Sequence, residues 1–157
     1  RDSQYTFVKE GKSVWEEYND QIMSGVVEYQ DSLPLIIGLD FGLTPAAVIG
    51  QKHLSGVWVI LHEIVSFDMG LERFCNQLLT ELNMRFPKAE IKVYGDPAGM
   101  ARDAVYEVTA FDHLRTIGLN AQPAPSNNFK VRREAGAALT RLAEPSAPAQ
   151  ASGAHGQ

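Results

Sequence analysis

The sequence predicts an α/β fold built on one mixed sheet, because strand-like segments come first and helical and strand-like patterns then alternate. Three short apolar segments, separated by turn-prone residues, predict a three-stranded antiparallel meander; they are residues 35–41, 46–52 and 57–65. The helix–strand units that follow favour parallel strands added to the same sheet, with helices flanking it.

The first strand is predicted from Leu35-Ile-Ile-Gly-Leu-Asp-Phe41, a nearly continuous apolar run that is typical of a strand buried on both faces. Apolar side chains then recur with the helical period from Leu71 to Leu82, which predicts a helix after the meander. A fourth strand is predicted over Ile91–Tyr94, directly before the turn Gly95-Asp-Pro-Ala-Gly99.

Two further helices are predicted towards the end of the chain. Thr109, followed three residues later by Asp112, has the spacing of a capping box. A last short strand is predicted near residues 118–121. Asn127 or Asn128 then caps a final helix with one apolar face, formed by Val131, Ala135, Leu139 and Leu142.

Composition sets the limits on function. A chain of 157 residues that is 45% hydrophobic can bury the core of one domain, and its single cysteine excludes an internal disulfide and favours a reducing compartment. The apolar segments are too short to cross a bilayer and no signal peptide opens the chain, so we expect no membrane partner. The net charge of −5 argues against a protein that coats duplex DNA, but it is compatible with a nucleic-acid enzyme that has a local basic patch.

The chain is predicted to have three parts. Residues 1–33 mix charged and aromatic side chains without a period and are interpreted as a linker. Residues 34–143 form the folded domain. Residues 144–157 are predicted to be a disordered tail, because they contain only Ala, Pro, Ser, Gly and Gln with one Glu and one His.

Two aspartates have positions that point to chemistry. Asp40 ends the first predicted strand, and Asp96 follows the fourth. If these strands are parallel neighbours, both carboxylates lie at the same edge of the sheet, where paired carboxylates suit Mg²⁺ or Mn²⁺. The alternative is that both are turn-forming or capping residues, and the spacing alone leaves that open.

The chain also resembles the C-terminal nuclease domain of the large terminase subunit of tailed bacteriophages and prophages. The resemblance covers residues from about 35 to 142, and these segments carry it: Gly38-Leu-Asp-Phe-Gly-Leu-Thr-Pro-Ala-Ala47, Asp68-Met-Gly-Leu-Glu-Arg-Phe74, Gly95-Asp-Pro-Ala-Gly99, Thr109-Ala-Phe-Asp-His-Leu114 and Pro125-Ser-Asn-Asn-Phe-Lys-Val-Arg-Arg-Glu134. Residues 11–19 also look like the segment that links the packaging ATPase to the nuclease in this family.

The resemblance implies an RNase H-like fold and an endodeoxyribonuclease that cuts concatemeric viral DNA by two-metal phosphodiester hydrolysis. It also implies double-stranded DNA, the phage portal and the small terminase subunit as partners, and the bacterial host cytoplasm as the location. The family's first- and fourth-strand metal ligands map onto Asp40 and Asp96.

In the family, a third acidic ligand comes from a His-Asp-Ala-like segment of a late helix. This sequence has no such segment after Leu142. We therefore expect weak metal binding and little cutting by this chain. Glu72, which opens the helix after the meander, is a candidate substitute, although a glutamate there also stabilises the helix N-terminus without any metal.

Basic residues cluster on the last predicted helix: Lys130, Arg132, Arg133 and, further along, Arg141. Such a cluster can hold DNA phosphates without reading the base sequence, or it can be an ordinary solvated helix face.

Two other functions are open to such a sequence. One is a catalytically incomplete DNA-binding or assembly fragment of the packaging motor, because the third ligand is missing. The other is a nucleotide-binding module of the actin and sugar-kinase type, whose first phosphate loop resembles Leu39-Asp-Phe-Gly42. That fold needs a second glycine-rich loop with paired glycines, which residues 95–99 do not provide.

Overall fold

The structure, a computed structural model of the chain, describes residue 16, residues 18–100 and residues 109–142. The predicted tail, residues 144–157, and the first fifteen residues of the predicted linker lie outside this part. The elements, in chain order, are α1 (Asp20–Met23), β1 (Leu35–Asp40), β2 (Ala46–Lys52), β3 (Trp58–Val65), α2 (Leu71–Arg85), β4 (Ile91–Gly95), a 3-10 turn (Pro97–Met100), α3 (Ala110–Thr116), β5 (Ala121–Pro123) and α4 (Phe129–Leu142).

The five strands form one sheet in the order β3-β2-β1-β4-β5. β1, β2 and β3 pair antiparallel as a meander, whereas β4 pairs parallel with β1 and β5 pairs parallel with β4. The predicted mixed sheet is therefore confirmed. Because β1 and β4 are parallel and adjacent, their carboxyl ends meet at one edge of the sheet.

The core lies between one face of the sheet and helices α2 and α3. The buried sheet residues are Leu35, Ile37, Leu39, Ala47, Ile49, Ile64, Val93 and Ala121, and the buried helix residues are Phe74, Cys75, Leu78, Leu82, Phe111 and Leu114. Burial raises the pKa of the Cys75 thiol to about 11, so this cysteine stays protonated at neutral pH and behaves as a small apolar core residue.

The opposite face of the sheet is open in the described part of the chain. Val48 is 43% exposed and Ile60 57% exposed there, and Gly38 is also exposed. The prediction that the first strand is buried on both faces is therefore wrong for these residues. Burial along β1 alternates, and Gly38, which has no side chain to bury, made an alternating strand resemble a continuous apolar run.

The last helix also differs from its prediction. α4 begins after Asn128, whose Oδ1 accepts from the backbone N–H groups of Lys130 and Val131, so the predicted cap is confirmed. Its apolar positions are not covered, however: Val131 is 51% exposed and Leu139 is 38% exposed. The helical period located the stripe correctly, but a period contains no information on whether another element packs against it.

The end of the linker is fixed to the sheet by a buried amide. The side chain of Gln51 is fully buried. Its Oε1 accepts from the N–H of Gln30 at 3.0 Å, and its Nε2 donates to the carbonyls of Gln30 and Leu33 at 2.9 and 2.7 Å. Beside it, the rings of Tyr29 and Phe86 meet edge to face, with their centroids 5.0 Å apart. Residues 29–33 are thus packed onto the domain.

Helix α3 begins with the predicted capping box. The Thr109 hydroxyl accepts from the Asp112 N–H at 3.1 Å, and Asp112 Oδ2 accepts from the Thr109 N–H at 3.1 Å. The hydrogen bond from the Thr109 side chain, together with the one from its backbone, lowers the pKa of Asp112. A carboxyl with a lowered pKa in the folded state stabilises the fold above its unfolded pKa, and this stabilisation is lost as the pH falls through the folded value.

We expect Thr109→Ala to lower the free energy of unfolding by about 1 kcal/mol at pH 7, the usual effect of losing an N-cap. The difference from the wild type should shrink below about pH 3.9, the ordinary pKa of an aspartate, because Asp112 then protonates in both proteins. Urea unfolding across pH measures this. Thr80→Ala is the matched control, since the Thr80 hydroxyl donates to the Asn76 carbonyl within α2 and caps nothing. A pH-independent difference for Thr109→Ala would contradict the account.

Candidate metal centre

Asp40 and Asp96 lie at the carboxyl ends of adjacent parallel strands. Leu39 pairs with Gly95 in the β1–β4 ladder, and one residue further on the Asp96 N–H donates to the Leu39 carbonyl at 3.1 Å. Leu39 and Gly95 are both on the buried face, so Asp40 and Asp96 both belong to the open face. The structure thus brings the two predicted aspartates to one edge and one face of the sheet.

Local hydrogen bonds orient both aspartates. Asp40 is exposed, and its Oδ1 accepts from the Gly42 N–H at 3.1 Å. Asp96 is half-buried, and its carbonyl accepts from the Gly99 N–H at 2.9 Å, which closes the turn after β4. The turn-forming interpretation of Asp40 is therefore correct as far as it goes. It does not conflict with metal binding, because a carboxylate has two oxygens and about four acceptor sites.

Glu72 has a different position from the two aspartates. It lies exposed in the first turn of α2, the helix that packs on the buried face of the sheet. Across the described residues, no three His, Cys, Asp or Glu side chains come together as a group that could hold a metal ion. Glu72 as a third ligand stays a prediction.

The basic residues of α4 begin close to the same edge. β5 runs parallel to β4, and the Ala124 N–H donates to the Gly95 carbonyl at 2.8 Å, so the chain leaves the sheet beside the turn that carries Asp96. Lys130, Arg132 and Arg133 are all exposed.

These basic residues do not form one patch. Each residue turns a helix by about 100°, so Lys130 and Arg133 lie on one side of α4 and Arg132 lies on the other. Position 141 falls in line with Lys130, three turns along the helix. The Arg132 guanidinium instead donates to Asn127 Oδ1 at 2.8 Å.

No helix in the described part of the chain is long and apolar enough to span a membrane.

The fold has solved relatives, whereas no protein-family model and no curated protein matches the chain. The nuclease domain of the P22 large terminase superposes with a TM-score of 0.63 at 13% identity, over 83% of this chain and 69% of that one. The large terminase of a thermophilic bacteriophage gives 0.62 at 13% identity, over 82% of this chain and 32% of that one. The large terminase nuclease of a second thermophilic phage, G20c, solved with bound cobalt, gives 0.50 at 19% identity, over 83% of this chain and 69% of that one.

These likenesses establish the fold. The chain has the RNase H-like mixed sheet of large terminase nuclease domains, which is the fold that the sequence predicted. It spans about a third of the length of the large terminase from the first of the two thermophilic phages.

Proposed function

We propose that this chain is a metal-dependent DNA endonuclease domain of a viral packaging terminase, and that Asp40 and Asp96 hold its divalent cation. One observation carries the proposal: two carboxylates lie at the carboxyl ends of adjacent parallel strands, on the same face, in a sheet whose solved relatives are terminase nuclease domains. The cobalt in the G20c nuclease supports a divalent metal in such a fold.

The residues at this edge fit a hard divalent cation. Carboxylate oxygens are the ligands that Mg²⁺ and Mn²⁺ prefer, and Asp40 is open to solvent, so water can complete the coordination shell. When bound, such ions supply an activated water and stabilise the charge that builds up during phosphodiester hydrolysis.

The chain itself supplies the placement. The Gly42 N–H holds one oxygen of Asp40, and the hydrogen bond between the Asp96 N–H and the Leu39 carbonyl fixes Asp96 beside the end of β1. Two carboxylates hold a cation more loosely than three, since each contributes at most two oxygens. We therefore propose weak binding of Mn²⁺ or Mg²⁺ and slow cutting by this chain, with Glu72 as a candidate third ligand.

Conversion of supercoiled plasmid with increasing Mn²⁺ tests the activity. We expect slow nicking that Asp40→Asn and Asp96→Asn abolish. Glu72→Gln should reduce it only if Glu72 is the third ligand. Nicking that survives Asp40→Asn would contradict the proposal.

The proposed substrate is double-stranded DNA, held through its phosphates by the side of α4 that carries Lys130 and Arg133, with Arg141 on the same line. Each phosphate contact that is lost should reduce the slope of log K against log salt concentration by about 0.9. We expect Lys130→Gln and Arg133→Gln each to produce such a reduction for a duplex of mixed sequence, measured by fluorescence anisotropy.

Two variants serve as controls for this salt dependence. Arg132→Gln removes the same charge from the other side of α4, and Lys88→Gln removes it at the amino end of β4, the opposite edge of the sheet. Both should leave the slope close to the wild-type value. Equal reductions for all four variants would indicate a general charge effect and would contradict a defined DNA-binding side.

The wider setting is proposed from the fold. Within a complete terminase, residues 1–33 would link an ATPase domain to this domain, and the phage portal and the small terminase subunit would be its partners in the bacterial host cytoplasm. The end of this linker, residues 29–33, is the part that Gln51 fixes to the sheet.

A second candidate function is a DNA-binding or assembly piece without catalysis. It is favoured by the lack of any metal-holding group of three side chains among the described residues. The plasmid experiment separates the two, because a non-catalytic piece retains salt-dependent DNA binding but produces no Mn²⁺-dependent nicks.

A further inference from the structure

The turn that carries Asp96 is bounded by two glycines that have no room for a side chain. A Cβ on Gly95 would lie 2.5 Å from Phe41 Cε2, and a Cβ on Gly99 would lie 2.3 Å from Phe41 Cδ2. Neither glycine has a positive φ. Space therefore requires these glycines, not backbone conformation, and the ring of Phe41 occupies that space.

Phe41 is itself held from the core. Its ring meets the ring of Phe111 edge to face, with the centroids 5.3 Å apart and an interplanar angle of 72°. Phe111 is fully buried in α3. The ring of Phe41 thus lies between a fixed core residue and the backbone of the turn, and Phe41 is the residue directly after Asp40.

The backbone alone gives the turn little support. The last hydrogen bond between the two strands joins the Asp96 N–H to the Leu39 carbonyl, and the next one, from the Gly99 N–H to the Asp96 carbonyl, is internal to the turn. Beyond the end of the ladder, the ring of Phe41 connects the segment that carries Asp40 to the segment that carries Asp96.

We propose that Phe41 is a positioning residue, whose ring fixes the Asp96 turn against the end of β1 and so sets the spacing of the Asp40 and Asp96 carboxylates. The inference rests on the proposed function, in which these carboxylates are ligands. A pair of ligands that drifts apart binds a cation less tightly, and residues that orient metal ligands typically change metal affinity by about 10- to 100-fold when replaced.

The first measurement is hydrogen exchange of backbone amides without metal, for the wild type and Phe41→Leu. We expect the Asp96 and Gly99 amides to exchange at least about tenfold faster in Phe41→Leu, relative to the Ile37 and Val93 amides of the core strands. Phe86→Leu is the matched control, because Phe86 makes the same kind of edge contact, with Tyr29, away from this turn.

A pair of variants tests the contact itself. Gly99→Ala should also expose the turn to exchange, because its methyl group collides with the ring. Adding Phe41→Ala to Gly99→Ala removes the ring that causes the collision, so the second change should add less exchange to Gly99→Ala than it adds to the wild type. Fully additive effects would contradict a direct contact.

The second measurement is Mn²⁺ affinity by electron paramagnetic resonance, for which we expect Phe41→Leu to weaken binding by about tenfold and Phe86→Leu to leave it unchanged. Exchange at Asp96 and Gly99 that rises no more in Phe41→Leu than in Phe86→Leu would overturn the inference. So would an unchanged Mn²⁺ affinity in Phe41→Leu when Asp40→Asn loses binding. If instead Phe41→Leu frees the turn but Asp40→Asn leaves Mn²⁺ binding intact, the role of Phe41 in holding the turn is supported and the proposed function fails.

Discussion

Replacing Asp40 or Asp96 with asparagine is expected to weaken Mn²⁺ binding by at least about tenfold. A single negative charge and a divalent cation about 4 Å apart attract each other by about 2 kcal/mol even at the dielectric constant of water, and about 1.4 kcal/mol already corresponds to a factor of ten. The value for water is appropriate because Asp40 is exposed. Isothermal titration or electron paramagnetic resonance measures the change.

The matched control is Asp31→Asn, which removes the same charge from an exposed aspartate just before β1, at the opposite end of that strand. It should leave Mn²⁺ affinity within about twofold of the wild type, since a charge several strand residues away is largely screened at physiological salt. Equal losses in Asp31→Asn and Asp40→Asn would mean that Mn²⁺ responds to overall charge and not to a site.

The largest effect on stability is expected for Gln51→Leu. The change removes three hydrogen bonds and leaves the carbonyls of Gln30 and Leu33 without the donor that they share. At about 1 kcal/mol for each hydrogen bond, together with the penalty for buried groups left unpaired, we expect the free energy of unfolding to fall by about 3 kcal/mol. Urea unfolding followed by circular dichroism measures it.

Gln122→Leu is the control for this prediction, because Gln122 is an exposed strand residue of β5. It should change the free energy of unfolding by less than about 0.5 kcal/mol. Gln51 lies at the opposite end of the sheet from Asp40, so Mn²⁺ affinity measured on folded Gln51→Leu should match the wild type. A small stability change in Gln51→Leu would show that the linker is not held as described.

The sheet and the placement of the two aspartates were predictable because both depend on local signals. Strand periodicity and turn residues define the meander, and an aspartate at the end of each of two parallel strands must come to the same edge. The capping box of Thr109 and Asp112 is equally local, since both partners lie within one helical turn.

The features that were missed depend on contacts between distant segments. Nothing in the order of residues around Gln51 shows that its amide faces the core, because its partners are backbone atoms of the segment interpreted as a linker. Phe41 was not singled out either, although two glycines flanking an aspartate are a usable signal that something packs closely against that turn. The exposure of α4 and of the open sheet face likewise depends on which element covers which, and amphipathic periods do not specify this.

Mapping where Mn²⁺ binds tests the central claim most directly. Because Mn²⁺ broadens the NMR signals of nearby nuclei, a titration on the isotope-labelled chain identifies the site residue by residue without requiring activity. We predict that the amides of residues 39–42 and 95–99 broaden first, and that Asp40→Asn removes this selective broadening. Selective broadening centred elsewhere in the described domain, or the same pattern in Asp40→Asn, would contradict the assignment of Asp40 and Asp96 as the metal ligands.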